Sequence, residues 1–237
     1  MEPKNFLIIG GTSGIGLELV KVLRGGGHQV VVGSRSAGRR AAVEGTPQVV
    51  FDTSADSASP EGLPESLSGM AYCPGTIRLK PFQRLTREDF LEDLQVNYLG
   101  AVQAIQACLP NLKQSPEGAS ILLFSTVAVR TGMPFHASVA GAKGAVEGLT
   151  RALAAEFAPR IRVNAIAPSL TDTPLAGGLL SSEDKRRAAA ERHPLKRIGR
   201  PADAARLAAL LLTGEGGWIT GQVIAVDGGM GALRVFR

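Results

Sequence analysis

The chain has 237 residues, 44% of them hydrophobic, and a formal net charge of +5. This length suits one dinucleotide-binding domain over residues 1–237, without a linker or repeat to mark a second one. The two cysteines, Cys73 and Cys108, lack metal-ligand spacing and favour a reduced, cytoplasmic setting without a metal site. No apolar run reaches the roughly 18 residues of a membrane span, and the first residues do not resemble a signal peptide. We therefore expect a soluble cytoplasmic protein with no membrane partner.

The basic charge balance raises the question of nucleic-acid binding, because cationic surfaces attract phosphate backbones. The arginines are scattered, however, aromatic residues make up only 5% of the chain, and no nucleic-acid motif is present. Nucleic-acid binding is therefore the least favoured class of function.

Apolar runs of strand length alternate along the chain with segments of helical periodicity. The predicted strands are Asn5 to Gly10, Gln29 to Gly33, Gln48 to Phe51, Gly69 to Cys73, Ala119 to Ser125, Arg160 to Ala167 and Gln222 to Val226. The predicted helices are Gly16 to Arg24, Glu88 to Leu112 as one long helix or a bent pair, Phe135 to Phe157, and Pro201 to Leu212. This alternation predicts a single doubly wound parallel sheet with helices on both faces and a ligand site beyond the carboxyl ends of the strands.

The first strand-to-helix turn carries Gly10, Gly14 and Gly16 in a G-x-x-x-G-x-G pattern, with Thr12 and Ser13 inside it. Glycine lets the backbone turn sharply and approach a pyrophosphate, while the first helical amides and the positive helix end hold the anion. The two hydroxyls add donors. This position favours a dinucleotide site over a glycine-rich turn without a ligand.

The end of the second strand indicates which dinucleotide is preferred. An NAD site usually has an acidic residue there, but this chain has Ser34 and Arg35, followed by Arg39 and Arg40. A guanidinium beside a hydroxyl suits a 2′-phosphate, so NADP(H) is favoured, unless Arg35 is only a solvated loop arginine. Asp52, after the third strand, is a candidate for contact with the adenine amino group.

Several segments together resemble the short-chain dehydrogenase/reductase family over essentially the whole chain. They are IGGTSGIG at Ile9 to Gly16, PG after the fourth strand, VNYLGA at Val96 to Ala101, KGAVEGLTRALAAEFAPRIRVNAIAPS at Lys143 to Ser169, RIGRPADAARLAALLL, and TGQVIAVDGG. The resemblance implies a Rossmann fold, NAD(P)-linked hydride transfer at a carbonyl or alcohol, and a homodimer or homotetramer. It also implies cofactor contacts from Ile15, Gly75, Lys143, Pro168, Thr171 and Thr173.

The family's catalytic set is Asn, Ser, Tyr and Lys, and the resemblance places these roles on Asn97, Thr126, Val139 and Lys143. Thr126 keeps a hydroxyl for a substrate oxygen. Valine cannot donate a proton, so the usual general acid is missing. Lys143 keeps the role of binding the nicotinamide ribose. A further departure follows the sixth strand, where the family's P-G is Pro168 and Ser169.

His136 is the best-placed replacement for the tyrosine. It lies seven residues before Lys143, about two helical turns, so both should project from one face with Val139 between them. This layout resembles the enoyl reductase branch of the superfamily, where a tyrosine stands seven residues before the lysine. Histidine can donate a proton near neutral pH. Alternatively, His136 caps the helix or binds a polar group of the substrate. The chain's tyrosines, Tyr72 and Tyr98, are not expected to reach the site.

Two functions remain. The first is an NADP(H)-dependent oxidoreductase acting on a carbonyl or activated C=C of a small apolar substrate. Its proton would come from His136, from a water near Asn97 and Lys143, or from solvent. The alternative is a catalytically impaired NADP(H)-binding sensor or scaffold. The loop from Pro168 to Leu180, rich in Pro and Gly, is either a lid over the substrate or an exposed loop without function.

Overall fold

The computed structural model describes residues 2–35, 43–52 and 62–234. Its strands are β1 Asn5–Ile9, β2 Gln29–Ser34, β3 Gln48–Val50, β4 Gly69–Tyr72, β5 Ala119–Phe124, β6 Ile161–Pro168 and β7 Val223–Val226. They form one sheet in the order β3-β2-β1-β4-β5-β6-β7, and every pair of neighbours is parallel. The chain therefore has the doubly wound parallel sheet that the alternation of elements predicts.

The helices of the described residues are α1 Gly14–Gly25, α2 Arg87–Leu94, α3 Gly100–Lys113, α4 Val127–Thr131, α5 Ala137–Phe157, α6 Glu183–Glu191 and α7 Pro201–Leu212. They cover both faces of the sheet. Successive side chains of a strand point to opposite faces, so Leu7 and Ile9 pack into one core cluster while Phe6 and Ile8 pack into the other. Burial on both faces explains why the strands are continuous apolar runs.

The segment predicted as one long helix or a bent pair is two helices joined by a π-helical turn. This turn, Gln95–Leu99, lies between α2 and α3. α2 begins with a capping box formed by Thr86 and Asp89, which stops it from extending further toward the N-terminus. A π-turn inside a helix often marks a functional site, and this one contains Asn97.

The structure corrects two predicted boundaries. Helix α5 begins at Ala137 and not at Phe135, because Phe135 has a φ of +69° in the left-handed region. His136 therefore stands at the N-cap position, just outside the helix. The segment predicted as a loop up to Leu180 contains a 3₁₀ helix at Pro174–Leu180. Proline at its first position suits a helix start, which the glycine and proline content concealed.

Two helices were not predicted. α4 is only five residues long. α6, EDKRRAAAE, buries Ala189 alone, so it lacks the apolar stripe by which an amphipathic helix is recognised. In the part of the chain that the structure describes, no helix combines the length and the apolar character needed to cross a bilayer.

Candidate active site

A cleft of about 780 Å³ lies at the carboxyl ends of the strands, where the sheet topology places a ligand. Its wall includes residues at or after the ends of five strands: Gly10, Ser34, Cys73, Ser125 and Ser169. A volume of this size is within the usual range of about 300–1,000 Å³ for ligand pockets.

The glycine turn forms one end of this cleft. Gly10 has a φ of +79° and Gly14 a φ of +55°, conformations that side chains rarely tolerate. A Cβ atom at Gly16 would overlap the carbonyl oxygen of Gly10. Helix α1 then starts at Gly14 with no acidic residue in its first turn, so its free amides and positive end remain suited to an anion.

The loop after β6 packs directly on this turn. A Cβ atom at Gly14 would lie 3.2 Å from Cγ2 of Thr173. Thr171 is buried, and its hydroxyl donates a hydrogen bond to the carbonyl oxygen of Ser169 at 3.0 Å. Thr173 thus lies beside the glycine turn and Thr171 lines the same cleft, although about 160 positions of sequence separate them from that turn.

Ser34 and Arg35 also line the cleft, and Arg35 is exposed. Ser34 ends β2 and Arg35 follows it, which is the place expected for residues that contact the ribose. Asp52 is half-buried just beyond β3 and is not part of the cleft wall. Arg39 and Arg40 lie outside the described residues.

Lys143 is 7% exposed and lines the centre of the cleft. Burial lowers the pKa of its ammonium group to about 8, and interactions with Cys73 and Asp93 offset part of that effect. A Cβ atom at Gly75 would lie 3.5 Å from Nζ of Lys143 and 3.2 Å from Oδ1 of Asn97. The missing side chain at Gly75 therefore leaves room between these two polar groups.

Asn97 is 1% exposed and lies behind the wall of the cleft. Its Nδ2 donates hydrogen bonds to Oγ1 of Thr76 at 2.7 Å and to the carbonyl oxygen of Asp93 at 2.8 Å. The Thr76 hydroxyl in turn donates a short bond to Oδ1 of the buried Asp93. Sequence analysis missed Thr76 and Asp93, because their contact spans 17 residues and no local pattern indicates it.

Thr126 and Val139 face the part of the cleft next to Lys143. Oγ1 of Thr126 accepts a hydrogen bond from the amide of Ala128 at 3.3 Å, which leaves the hydroxyl proton available for a substrate oxygen. Val139 is 5% exposed and presents only methyl groups. Its neighbour Ser138 donates to the carbonyl oxygen of Asp89 and so points away from the cleft.

Neither tyrosine replaces the missing acid. The hydroxyl of Tyr72 donates to the carbonyl oxygen of Val96 at 2.7 Å, and Tyr98 packs against the core. Neither is part of the cleft wall, as the sequence indicated.

His136 lines the cleft, but its ring does not cap α5. Nδ1 lies 2.7 Å from the carbonyl oxygen of Pro134. Since a carbonyl oxygen only accepts, Nδ1 carries a proton, and Nε2 then has a proton to donate only when the ring is an imidazolium. Within the described residues, Nε2 has no hydrogen-bond partner.

A second histidine in the cleft wall, His193, was not anticipated. It is 2% exposed, and its Nε2 lies 2.9 Å from Oγ of Ser169. Ser169 was noted only as a departure from the family's glycine. No local signal points to His193, because the pair is 24 residues apart and is brought together by the turn after α6.

The remaining wall is largely apolar. It includes side chains from three separate segments: Ile77, Leu79, Met133, Leu170, Leu175 and Leu179. Leu175 and Leu179 belong to the 3₁₀ helix and are more than a third exposed. The cleft therefore combines a polar floor with an apolar, partly open side.

Comparison with known proteins agrees with this geometry. The family model described as "Enoyl-(Acyl carrier protein) reductase" matches residues 10–231. A tropinone reductase homologue of Arabidopsis thaliana is 42% identical over 160 residues, which are 66% of this chain and 60% of that protein. Carbonyl reductase family member 4 of Danio rerio is 32% identical, with 96% of this chain and 98% of that one covered. An uncharacterised oxidoreductase of Methylorubrum extorquens is also 32% identical, over 97% and 98%.

Solved structures share the fold. A short-chain type dehydrogenase/reductase from Mycobacterium ulcerans has a TM-score of 0.88 at 25% identity, over 99% of this chain and 92% of that one. A Brucella melitensis 3-ketoacyl-(acyl-carrier-protein) reductase, solved with NADH, has a TM-score of 0.84 at 25% identity, over 97% and 99%. A putative 2-deoxy-D-gluconate 3-dehydrogenase from Agrobacterium tumefaciens, solved with NADP, has 0.88 at 25%, over 97% of each chain. The chain therefore belongs to the short-chain dehydrogenase/reductase family of oxidoreductases.

Proposed function

We propose that this protein is an NADP(H)-dependent reductase that transfers a hydride to a carbonyl or activated C=C of a small apolar substrate. The observation that carries the proposal is the cleft itself, which brings the glycine turn, Arg35, Thr126 and Lys143 to one place. The names of the relatives, which include a carbonyl reductase and a 3-ketoacyl-(acyl-carrier-protein) reductase, support the reaction class.

The residues of the cleft fit a dinucleotide. The turn at Gly10, Gly14 and Gly16 leaves no room for side chains and so lets a pyrophosphate approach the α1 amides, with Thr12, Ser13 and Ile15 beside it. Thr171, Thr173 and Pro168 line the adjoining wall, and Gly75 keeps the space in front of Lys143 open. Ser34 and Arg35 favour a cofactor that carries a 2′-phosphate.

The choice of NADP(H) over NAD(H) rests on the charge at the end of β2. Arg35 is exposed and lines the cleft, so its guanidinium is free to turn toward a phosphate. Solved relatives hold NADH in one case and NADP in another, so the preference of this chain depends on its own residues.

Reduced nicotinamide, when bound, supplies a hydride to the substrate. The chain's residues then orient and protonate that substrate. Thr126 donates a hydrogen bond to the substrate oxygen, and the ammonium of Lys143 holds the ribose hydroxyls. Val139 supplies no proton, so another group must, and the sources that the sequence suggests are His136, a water near Asn97 and Lys143, and solvent. An enone tolerates this arrangement better than a ketone, because its enolate can be protonated later by water.

The apolar side of the cleft favours an apolar substrate, and the segment from Pro168 to Leu180, which contributes lining residues, would act as a lid over it. We further propose that residues 1–237 act as one domain, that the protein works in the cytoplasm, and that it assembles as a homodimer or homotetramer. Sedimentation of the purified protein tests the assembly.

The second candidate function is that of an NADP(H)-binding sensor or scaffold with impaired catalysis. The observation that favours it is Val139, which fills the position of the family's tyrosine with methyl groups. Such a protein would keep every cofactor contact and lose turnover.

Two measurements separate these functions. Fluorescence titration with NADPH and NADH tests the shared premise, and equal affinity for the two would contradict the role of Arg35. Oxidation of NADPH is then followed with a panel of ketones, quinones and enones. Turnover of any member supports the reductase. Tight NADPH binding without turnover of any of them supports the sensor.

A further inference from the structure

The ring of His193 is held by hydrogen bonds at both nitrogens. Nδ1 lies 2.8 Å from the carbonyl oxygen of Ala189 in the last turns of α6, so Nδ1 carries a proton. Nε2 therefore faces Oγ of Ser169, at 2.9 Å, in a fixed orientation. This contrasts with His136, which is half-buried and is held at Nδ1 alone among the described residues.

Ser169 is equally well held. Its amide donates to the carbonyl oxygen of Val226 at 3.2 Å, and its own carbonyl oxygen accepts from Thr171 at 3.0 Å. These bonds tie its backbone to the end of β7 and to the loop after β6. Ser169 lines the cleft, and its Oγ is held by contacts with Nε2 of His193 and Sδ of Met230. A side chain fixed in this way is pre-organised for chemistry.

A chain of contacts connects Ser169 to Thr126. Oγ of Ser169 lies 3.3 Å from Sδ of Met230. The next residue, Gly231, packs so closely on Val127 that a Cβ atom there would lie 3.0 Å from Cγ2. Because Val127 directly follows Thr126, a run of neighbouring residues links Ser169 to Thr126, and both residues line the cleft.

His193 also borders a second hollow, of about 390 Å³, which lies next to the cleft and includes Arg192, Lys196 and Leu233 in its wall. Arg192, Lys196 and Leu233 are exposed, so the hollow is open to solvent. His193 lines both spaces, so the residue also borders a solvent-open hollow outside the cleft.

We propose that Ser169 is the catalytic residue that gives the substrate oxygen its proton, and that His193 is the positioning residue that orients and recharges the Ser169 hydroxyl. This proposal rests on the proposed reductase function. The substrate carbon accepts a hydride with two electrons from reduced nicotinamide, which is oxidised, and the C=O π electrons move to the oxygen. That oxygen takes the Oγ proton of Ser169, Oγ takes the Nε2 proton of the His193 imidazolium, and the imidazole regains a proton from water.

The pair uses the same proton path in the oxidation direction. A neutral His193 accepts the Ser169 proton at Nε2 while Oγ of Ser169 takes the proton of a substrate alcohol. The pair therefore supplies the acid and base functions that Val139 cannot.

The experiment compares the wild type with Ser169→Ala, Ser169→Thr and His193→Gln in NADPH oxidation, using the best substrate of the ketone and enone panel. His28→Gln is the matched control, since His28 is also buried but lies against Lys4 and Phe6, away from the cleft. Positioned proton transfer contributes about 10²–10⁴-fold, so Ser169→Ala and His193→Gln should lose at least about 100-fold in kcat with little change in KM. Ser169→Thr should recover most of that loss, and His28→Gln should match the wild type.

Two readouts do not depend on turnover. NADPH affinity and Tm should stay at wild-type values in Ser169→Ala, which excludes a misfolded site. The ¹⁵N signals of the His193 ring should show a protonated Nδ1 in the wild type and a shifted Nε2 signal in Ser169→Ala. An unchanged Nε2 signal would show that the hydrogen bond does not exist in solution, and it would overturn the proposal.

The outcomes distinguish a failure of the proposed reductase function from a failure of the proposed roles of Ser169 and His193. No wild-type turnover with any substrate overturns the reductase function and this proposal with it. Wild-type turnover that Ser169→Ala and His193→Gln retain overturns the pair alone and leaves the reductase function standing. A kcat loss in Ser169→Ala that Ser169→Thr does not recover also overturns the pair, because the hydroxyl is then not what matters.

Discussion

The two halves of the cleft differ in how closely they follow the family. The half around the glycine turn keeps Gly10, Gly14 and Gly16, with Thr173 packed against them, as a dinucleotide requires. The half around Lys143 keeps the lysine and a hydroxyl at Thr126, but it has Val139 where a proton donor is expected. In the proposed assignment, the residues that bind the cofactor are therefore kept, and the residue that donates the proton is not.

The comparison shows that binding and chemistry impose different constraints on a chain. A pyrophosphate needs backbone amides and empty space, which only glycine in left-handed conformations provides at Gly10 and Gly14. A proton, in contrast, can come from any suitably placed acid. The half around Lys143 therefore tolerates the replacement of its proton donor, provided that another donor such as Ser169 can reach the substrate.

The largest expected effect is a loss of NADPH binding in the half of the cleft around the glycine turn. Gly16→Ala places a methyl group onto the carbonyl oxygen of Gly10, so the turn must open. We expect NADPH affinity to fall by at least about 100-fold, since the pyrophosphate loses hydrogen bonds from the α1 amides that are worth about 1.5–3 kcal/mol each. Fluorescence titration measures it. Gly25→Ala, in the same helix and with no atom near its added methyl group, is the control and should bind normally. Equal affinity in both variants would contradict a pyrophosphate site at this turn.

The second prediction concerns a variant that returns a proton donor to the half of the cleft around Lys143. Val139→Tyr returns a phenol to the position of the family's tyrosine, beside Lys143. In the Ser169→Ala background, which lacks the proposed donor, ketone reduction should rise by roughly 100-fold, the lower limit of positioned acid catalysis. Steady-state kinetics with NADPH and a ketone measures the gain. Val139→Phe, which adds the ring without the hydroxyl, should not raise the rate. If both variants gain equally, the effect comes from packing and not from the acid.

The third prediction concerns the preference for NADPH over NADH in the half of the cleft around the glycine turn. Arg35→Ala removes a charge-assisted hydrogen bond to a 2′-phosphate, worth about 1.5–3 kcal/mol. NADPH affinity should therefore fall by about 10–100-fold while NADH affinity stays constant. Parallel titrations with both cofactors measure this. Arg84→Ala, an exposed arginine outside the cleft wall, should change neither affinity. A loss for NADH as large as that for NADPH would show that Arg35 does not read the phosphate.

The fourth prediction concerns the pH dependence of NADPH affinity, which the charge of Lys143 should control. Burial lowers the pKa of its ammonium group to about 8, so the positive charge is present below that pH and is lost as pH rises through it. NADPH affinity should be constant below pH 8 and weaken above it by about tenfold, the cost of one charge-assisted hydrogen bond. Titrations from pH 6 to 10 measure it. Lys143→Met should bind weakly throughout without this pH dependence, whereas a pH-dependent Lys143→Met would assign the titration to another group.

The smallest expected effect is at His136. With Nδ1 committed to Pro134, its ring offers one atom to the substrate, and a single neutral hydrogen bond is worth about 0.5–1.5 kcal/mol. His136→Ala should raise KM by about 2–10-fold and leave kcat within that range. Initial-rate kinetics measures both constants. A kcat loss near 100-fold would make His136 the proton donor and would remove the need for Ser169.

The parallel sheet could be predicted, and the proposed cofactor residues could be named, because their signals are local. The apolar runs of β1 and β5, the glycine spacing and the residues just after β2 each lie within a few positions of one another. Helix α6 escaped prediction because it buries only one side chain, and the start of α5 was misplaced because Phe135 adopts a left-handed backbone conformation. A polar helix has no apolar stripe that would predict it, and a single unusual backbone dihedral leaves no pattern in the neighbouring residues.

By itself the sequence predicted the fold class, which the structure confirms, and it led to the proposals of a cofactor turn, of Arg35 after β2 as a phosphate ligand and of Val139 at the position of the family's tyrosine. Only the tertiary structure decided which polar side chains meet in the cleft and behind its wall. Thr76 meets Asp93 across 17 residues, and Ser169 meets His193 across 24. Such contacts form where separate loops converge at the ends of the strands, so their geometry depends on packing and not on any local spacing.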